Sequence, residues 1–165
     1  MNKAPRPSPA AARTGPSVRA AGVGGHHRVI AARAFALGDH VLQFVGVVTD
    51  RATRFSVQLS PGRHLLPPPD LAADDTAVEH LWRYLNHSCR PNAAVQDRTL
   101  VASRSIARGD EITFDYETTE DAMAEPFRCS CGDCAGRLIR GRAAVPDPAA
   151  ADEVEPVGPG TATGR

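Results

Sequence analysis

Three of the chain's four cysteines fall within six residues, Cys129-Ser130-Cys131-Gly132-Asp133-Cys134, and the fourth, Cys89, stands forty positions upstream. Cys129 and Cys131 are too close in sequence for an easy disulfide. Four thiolates can instead surround one zinc ion tetrahedrally, with zinc–sulfur distances of about 2.3 Å. Such a site leaves no cysteine over, and a chain without a secretory leader is expected in a reducing compartment. Two disulfides or unliganded thiols are the alternatives. A shared metal would pin the end of the chain to the segment around Cys89, and that closure limits the accessible folds more than any other feature.

The 165 residues and 42% apolar content suit one domain with one core. Met1 to about Gly22 is rich in Ala, Pro and Arg, and about Arg142 to Arg165 in Ala, Pro, Gly and acid. Both are expected to be disordered, one a basic arm carrying Lys3, Arg6, Arg13 and Arg19, the other an acidic tail. A formal net charge of zero gives no reason to expect direct nucleic-acid binding. With no apolar run of signal-peptide or membrane-spanning length, the expectation is a soluble, cytoplasmic monomer. Nuclear and secreted settings stay open.

Between the tails the pattern is mainly β. Val41 to Val48, rich in β-branched and aromatic residues after the turn signal Gly38-Asp39, predicts a strand. Arg54 to Leu59 and His64 to Leu66 flank Ser60-Pro61-Gly62 as one hairpin, and Ala93 to Val95 and Thr99 to Ala102 flank Gln96-Asp97-Arg98 as another. Pro67-Pro68-Pro69 marks an extended surface connection. Thr76 and Glu79 have capping-box spacing, and Val78, Leu81, Trp82 and Leu85 fall at i, i+3, i+4 and i+7, predicting a short amphipathic helix that runs into Asn86. Gly109-Asp110 turns the chain into a strand from Glu111 to Tyr116. Alternation there puts Ile112, Phe114 and Tyr116 on one face, so two aromatic rings stand together.

Several segments, taken in order, go further. They are Ala31-Ala32-Arg33-Ala34-Phe35-Ala36-Leu37-Gly38-Asp39, Phe44-Val45-Gly46, Arg83-Tyr84-Leu85-Asn86-His87-Ser88-Cys89-Arg90-Pro91-Asn92, and Gly109 to Tyr116. The cysteine cluster with Gly136 and Leu138 completes the series. Together, over roughly Val23 to Gly141, they resemble the SET-domain protein lysine methyltransferases, in the family's order. The resemblance implies several small β-sheets around a pseudoknot, in which the C-terminal strand-bearing segment threads beneath a loop beside the Asn-His motif. It divides the chain into a basic arm (1–22), a SET domain (23–118), a post-SET-like zinc segment (119–141) and an acidic tail (142–165).

The resemblance also implies S-adenosylmethionine as methyl donor, held by the loop at His26-His27-Arg28 and by Arg83, Tyr84, Asn86 and His87, and covered by Leu138. Asn86 would hold the cofactor's polar amino-acid end, and His87 serves mainly through backbone contact. Tyr116 matches the catalytic tyrosine, whose hydroxyl helps align methyl and amine. Phe114 matches the Phe/Tyr switch position, where phenylalanine leaves room for di- or trimethylated product. Phe44, Phe114 and Tyr116 are the expected walls of an aromatic channel that disfavours the lysine ammonium by desolvation. Zinc would be bound by Cys89, Cys129, Cys131 and Cys134. The implied partner is a protein with an accessible lysine, a basic tail or DNA-packaging protein among the candidates.

Three positions depart from the family's pattern. His27-Arg28 stands where a glycine-x-glycine is usual, Phe44 where many members have tyrosine, and two residues rather than four separate Cys131 from Cys134. These departures keep two alternatives open. One is a catalytically inactive, zinc-stapled interaction module, and the other a methyltransferase with a non-lysine acceptor.

Overall fold

A computed structural model of the protein describes residues 16–23, 26–71 and 77–142. The strands are β1 (Val18–Val23), β2 (His26–Ala31), β3 (His40–Gln43), β4 (Val47–Thr49), β5 (Val57–Ser60), β6 (Arg63–Leu66), β7 (Asn86–His87), β8 (Ala93–Gln96), β9 (Thr99–Ala102), β10 (Thr113–Phe114), β11 (Phe127–Arg128) and β12 (Leu138–Ile139). They form small separate sheets: β1 with β2, β3-β9-β8, β4-β6-β5, β7 with β10, and β11 with β12. All pairings are antiparallel except β7 with β10, where Asn86 faces Thr113 and His87 faces Phe114 in parallel register. No helix among the described residues is long and apolar enough to cross a membrane.

Both expected hairpins form, β5–β6 and β8–β9. Asp97 takes a left-handed φ of 54° at the second turn, a conformation that Asp tolerates better than most residues. Other elements differ from expectation. The basic arm was expected to extend to about Gly22, yet Val18–Val23 is a strand. It pairs along its whole length with His26–Ala31, and Val18 is fully buried, so apolar burial at one residue and a ladder of backbone bonds outweigh the Ala/Gly-rich composition. The rest of the arm, residues 24–25, Thr76 and the acidic tail beyond residue 142 lie outside the described residues.

The single strand expected over Val41 to Val48 is two strands in different sheets, since β3 pairs with β9 and β4 with β6. The break falls at Gly46, where an added Cβ would lie 2.0 Å from the Leu66 carbonyl oxygen. The missing side chain lets the two backbones approach and the chain change sheets. Beside it, Phe44 N–H donates to Arg98 O at 2.7 Å and Trp82 Nε1–H to Val45 O at 3.0 Å.

The helix before Asn86 exists over Val78–Tyr84 as a 3₁₀ helix rather than the α-helix that the spacing predicts. Its N-cap is Ala77, which has no side-chain acceptor, and Leu85 is already extended. Leu81 and Tyr84, three apart, bury together on the 3.0-residue turn with Trp82 beside them, while Val78 stays exposed. The final strand is likewise shorter than Glu111 to Tyr116. Its alternation holds, with Ile112 and Phe114 buried, but the Asp115 carboxylate accepts the Glu117 N–H at 3.1 Å and begins a second 3₁₀ turn, Tyr116–Thr118. The core has Trp82, Phe44, Leu65, Leu100, Ile106 and Ile112 among its largest buried side chains.

Candidate functional site: a tyrosine-lined cavity beside a four-cysteine cluster

The parallel β7–β10 pair decides what meets what. Ser88 N–H donates to Phe114 O at 3.2 Å, and Asn92 clamps the pair by donating to Glu111 O at 2.8 Å and accepting from Thr113 N–H at 3.0 Å. The chain leaves β10 with Tyr116 N–H donating to His87 Nδ1 at 3.3 Å, and the Tyr116 hydroxyl donating to Leu85 O at 2.6 Å. The tyrosine ring is held at both ends, with centroids 4.9 Å from Phe114, 5.4 Å from His87 and 5.9 Å from Phe127. Burial pushes its phenol well above the usual range, so it stays protonated and acts as a donor.

Tyr116, Phe114, Trp82, Leu85 and Glu120 line a cavity of about 40 Å³ together with the Thr53–Val57 segment. Of the three residues expected to wall an aromatic channel, Phe114 and Tyr116 line this cavity. Phe44 does not reach the lining: it is 1% exposed and stacks behind Trp82 at 5.3 Å, so the indole occupies the place expected for the phenyl. Trp82 carries the core-facing periodicity of its helix, and nothing in that pattern distinguishes a cavity wall from core.

On the Asn86 side, four of the expected cofactor contacts gather. The His27 ring lies 4.4 Å from the Tyr84 ring, and the Arg83 guanidinium lies 4.6 Å over Tyr84 and donates to its hydroxyl. Asn86 Nδ2 donates to His27 O at 3.3 Å and to Glu111 Oε1 at 2.8 Å. The expected loop at His26-His27-Arg28 is part of strand β2, because these residues pair with Val23, Gly22 and Ala21. Strand alternation sends the exposed Arg28 to the face opposite His27, away from that group. The His87 side chain is 2% exposed, and burial holds its imidazole below the usual range. Since Nδ1 accepts the Tyr116 N–H, the neutral tautomer carries its proton on Nε2, 3.3 Å from Cys89 Sγ. Leu138 sits on β12, half-buried; the adjacent β11 brings Phe127 within 5.8 Å of the His87 ring.

Cys89 lies two residues past the end of β7, and β11 leads into Cys129. The sulfurs of Cys89, Cys129, Cys131 and Cys134 all lie within 4.8 Å of one another, and none is in a disulfide. Cys89–Cys129 and Cys131–Cys134 are 3.8 and 3.7 Å apart. Metal–sulfur bonds of about 2.3 Å in a tetrahedron require sulfur–sulfur edges of about 3.8 Å, so the cluster has the dimensions of a metal site. Outer contacts are in place too. Cys131 N–H points at Cys129 Sγ from 3.4 Å, and Arg137, paired with Glu117 at 2.8 Å, points at Cys89 Sγ from 3.7 Å.

Small separate sheets, a tyrosine anchored beside a parallel-paired Asn-His strand and a sulfur cluster next to both define a recognisable class of domain. The SET domain family profile matches residues 27–117, and the chain belongs to that family. Among its relatives, the histone-lysine N-methyltransferase ash1 of Drosophila melanogaster is 31% identical over 141 residues, 76% of this chain and 6% of that protein. The H3 lysine-36 specific histone-lysine N-methyltransferase of Yarrowia lipolytica is 34% identical over 125 residues, 66% of this chain and 16% of that protein. The chain thus spans only a small part of either. The crystal structure of KRYPTONITE in complex with mCHG DNA and SAH superposes with a TM-score of 0.53 at 22% identity, covering 70% of this chain and 27% of that one; it shares the fold.

Glu120, Gln58 and Phe127 were not singled out in the sequence. Glu120 stands in the polar run Glu117-Thr118-Thr119-Glu120-Asp121, which reads as a solvated surface, and only its burial in the fold sets it apart.

Proposed function

We propose that the chain transfers methyl groups from S-adenosylmethionine to lysine side chains of a protein, and carries the reaction to di- and trimethylated products. The observation that carries this reading is the Tyr116 hydroxyl, fixed on Leu85 O at the wall of an aromatic cavity beside the His27–Tyr84–Asn86 group. When bound, S-adenosylmethionine supplies an electrophilic methyl on a positively charged sulfur. The protein's part is positioning, which for an in-line transfer matters more than acid–base strength. Asn86, Arg83, Tyr84 and His27 would hold the cofactor, with Leu138 at its edge and Arg28 on the opposite face of β2. The backbone around His87 would set the floor, and Tyr116 would align the amine. Trp82, Phe114 and Tyr116 exclude water from the acceptor side chain, with Phe44 as the support behind Trp82. Phe114 leaves space where a tyrosine hydroxyl would restrict the product.

The cysteine cluster would hold zinc as a post-SET-like segment over residues 119–141, following a SET domain at 23–118. The relatives' names point to a lysine-bearing basic protein tail as substrate. We read the protein as a cytoplasmic monomer acting on such a tail. His27 packs on Tyr84 where a glycine is usual, and this favours a second reading, an inactive zinc-stapled interaction module. Mass spectrometry of recombinant histone H3 incubated with the protein and S-adenosylmethionine tests the first reading. Mono-, di- and trimethylated lysine are expected, and unchanged H3 would contradict it.

A further inference from the structure

Glu120 is the one carboxylate among the described residues that line the aromatic cavity. It lines the cavity with Tyr116, Phe114 and Trp82, and its side chain is 8% exposed. Oε1 is engaged, accepting the Gln58 N–H at 2.7 Å and the Thr119 hydroxyl at 3.3 Å. Oε2 faces His64 Nδ1 at 3.9 Å, too long for a hydrogen bond. His64 is itself 8% exposed, and its Nδ1 has no hydrogen-bond partner among the described residues. His64 Nδ1 is thus a buried polar atom without a hydrogen-bond partner opposite Glu120 Oε2, an arrangement that costs folding free energy when it serves no purpose. A fastening role explains only half of Glu120, because the bond from Gln58 uses one oxygen.

We infer that the Glu120 carboxylate binds the ammonium of the acceptor lysine and takes its proton before methyl transfer. This rests on the lysine methyltransferase reading. A lysine enters as the ammonium, which cannot attack. One N–H bond breaks with its electron pair left on nitrogen, and an O–H bond forms on Glu120 Oε2. The freed pair then forms the N–C bond to the methyl carbon, and the electrons of the broken C–S bond stay on sulfur. Glu120 gives its proton to solvent when the product leaves, and does so again before each further methylation.

The electrostatics agree with this geometry. Burial raises the Glu120 carboxyl above the usual range, against smaller lowering contributions from Gln58 and His64, making it a better proton acceptor than an exposed glutamate. The charged and titratable groups around it are His64 on β6, Asp121 next to it, Arg142 held to Asp121 at 2.8 Å, and Arg54, Arg83 and Tyr116 around the cavity. The incoming ammonium would meet Glu120 as the one carboxylate among the described residues that line the cavity, which balances the Arg54 and Arg83 guanidiniums there.

The test is the pH dependence of kcat/KM for methylation of recombinant histone H3 by the zinc-loaded full chain, wild type against Glu120→Gln. Glutamine keeps the acceptor for the Gln58 N–H and removes the proton acceptor. The variant should bind S-adenosylhomocysteine as the wild type does and be about 100-fold slower near pH 7. The deficit should shrink at alkaline pH, where water and hydroxide take the proton instead. A variant with the wild-type profile, or one slowed by the same factor at every pH, overturns the inference and leaves the methyltransferase reading standing. A wild type that does not methylate H3 overturns both. Carbon NMR titration of the Glu120 carboxyl in the wild type reads the same question without turnover and without reliance on the variant's folding. Titration above the ordinary glutamate range is expected, and an ordinary value overturns the inference.

Discussion

Tyr116 is fixed through backbone and hydroxyl at once, by His87 Nδ1 and by Leu85 O, so its position is decided before any ligand arrives. Tyr116→Phe should leave the fold intact, losing one hydrogen bond worth about 1 kcal/mol, while turnover falls about 100-fold through misalignment. Circular dichroism beside a methylation assay separates the two effects, and wild-type turnover would remove the tyrosine from its assigned role. At the neighbouring ring, Phe114→Tyr should shift product toward monomethyl-lysine, read by mass spectrometry; an unchanged product distribution would count against a steric switch. Tyr116 and Phe114 were legible in the sequence because strand alternation puts them on one face and an ordered set of motifs surrounds them. Trp82 was legible as a buried residue but not as a cavity wall. Phe44 was placed one layer too far forward, because side-chain spacing along a strand says nothing about which ring stacks in front of which.

Between residues and fold stand the short elements, each stabilised by a few specific contacts. Gly46 lets β4 approach β6, and Gly46→Ala would drive a Cβ into the Leu66 carbonyl. The variant should lose about 2 kcal/mol or more, visible as a lower thermal midpoint; an unshifted midpoint would mean that the sheet change does not depend on this close approach. The segment after Tyr116 is tied to β5 by Gln58, which donates to Asp121 Oδ2 at 2.5 Å and accepts from Asp121 N–H at 2.7 Å. Gln58 and Arg142 hold the Asp121 carboxyl below its usual range. A depressed carboxyl adds stability above its unfolded value, and that stability is lost as pH falls through the folded one. Glu120 has the opposite sign: burial raises its carboxyl, so it favours the folded state at low pH and loses that contribution as pH rises through the folded value. Asp121→Asn should therefore reduce the loss of thermal stability between about pH 5 and pH 3, and an unchanged pH slope would exclude Asp121 as the anchor. Hairpins with clear turn residues were legible at this scale. The β1 strand and the break at Gly46 were not, because both depend on a partner strand distant in sequence or on backbone proximity that composition does not encode.

At the scale of the whole described chain, the four cysteines meet from two distant segments. Cys89 leaves the Asn-His strand and the other three cysteines leave β11, so one metal would join the Tyr116 cavity to the last described strand. Zinc analysis of the purified chain should find about one ion per chain, and chelation should loosen residues 127–139 in hydrogen exchange before the β3-β9-β8 sheet is affected. A natively folded protein free of metal would contradict this. The cysteine spacing made the cluster legible, and the ordered motifs made the family legible. The parallel β7–β10 contact that unites the two halves of the site was not legible, since it joins segments that no local pattern links; the resemblance implied only a C-terminal segment passing beside the Asn-His motif. Whether the group formed by His27, Arg83, Tyr84 and Asn86 is a cofactor site is decided by calorimetric titration of the zinc-loaded protein with S-adenosylmethionine and S-adenosylhomocysteine. Binding of both in the micromolar range, weakened by Asn86→Ala, is the result predicted; no heat of binding from folded, metal-loaded protein would contradict the account.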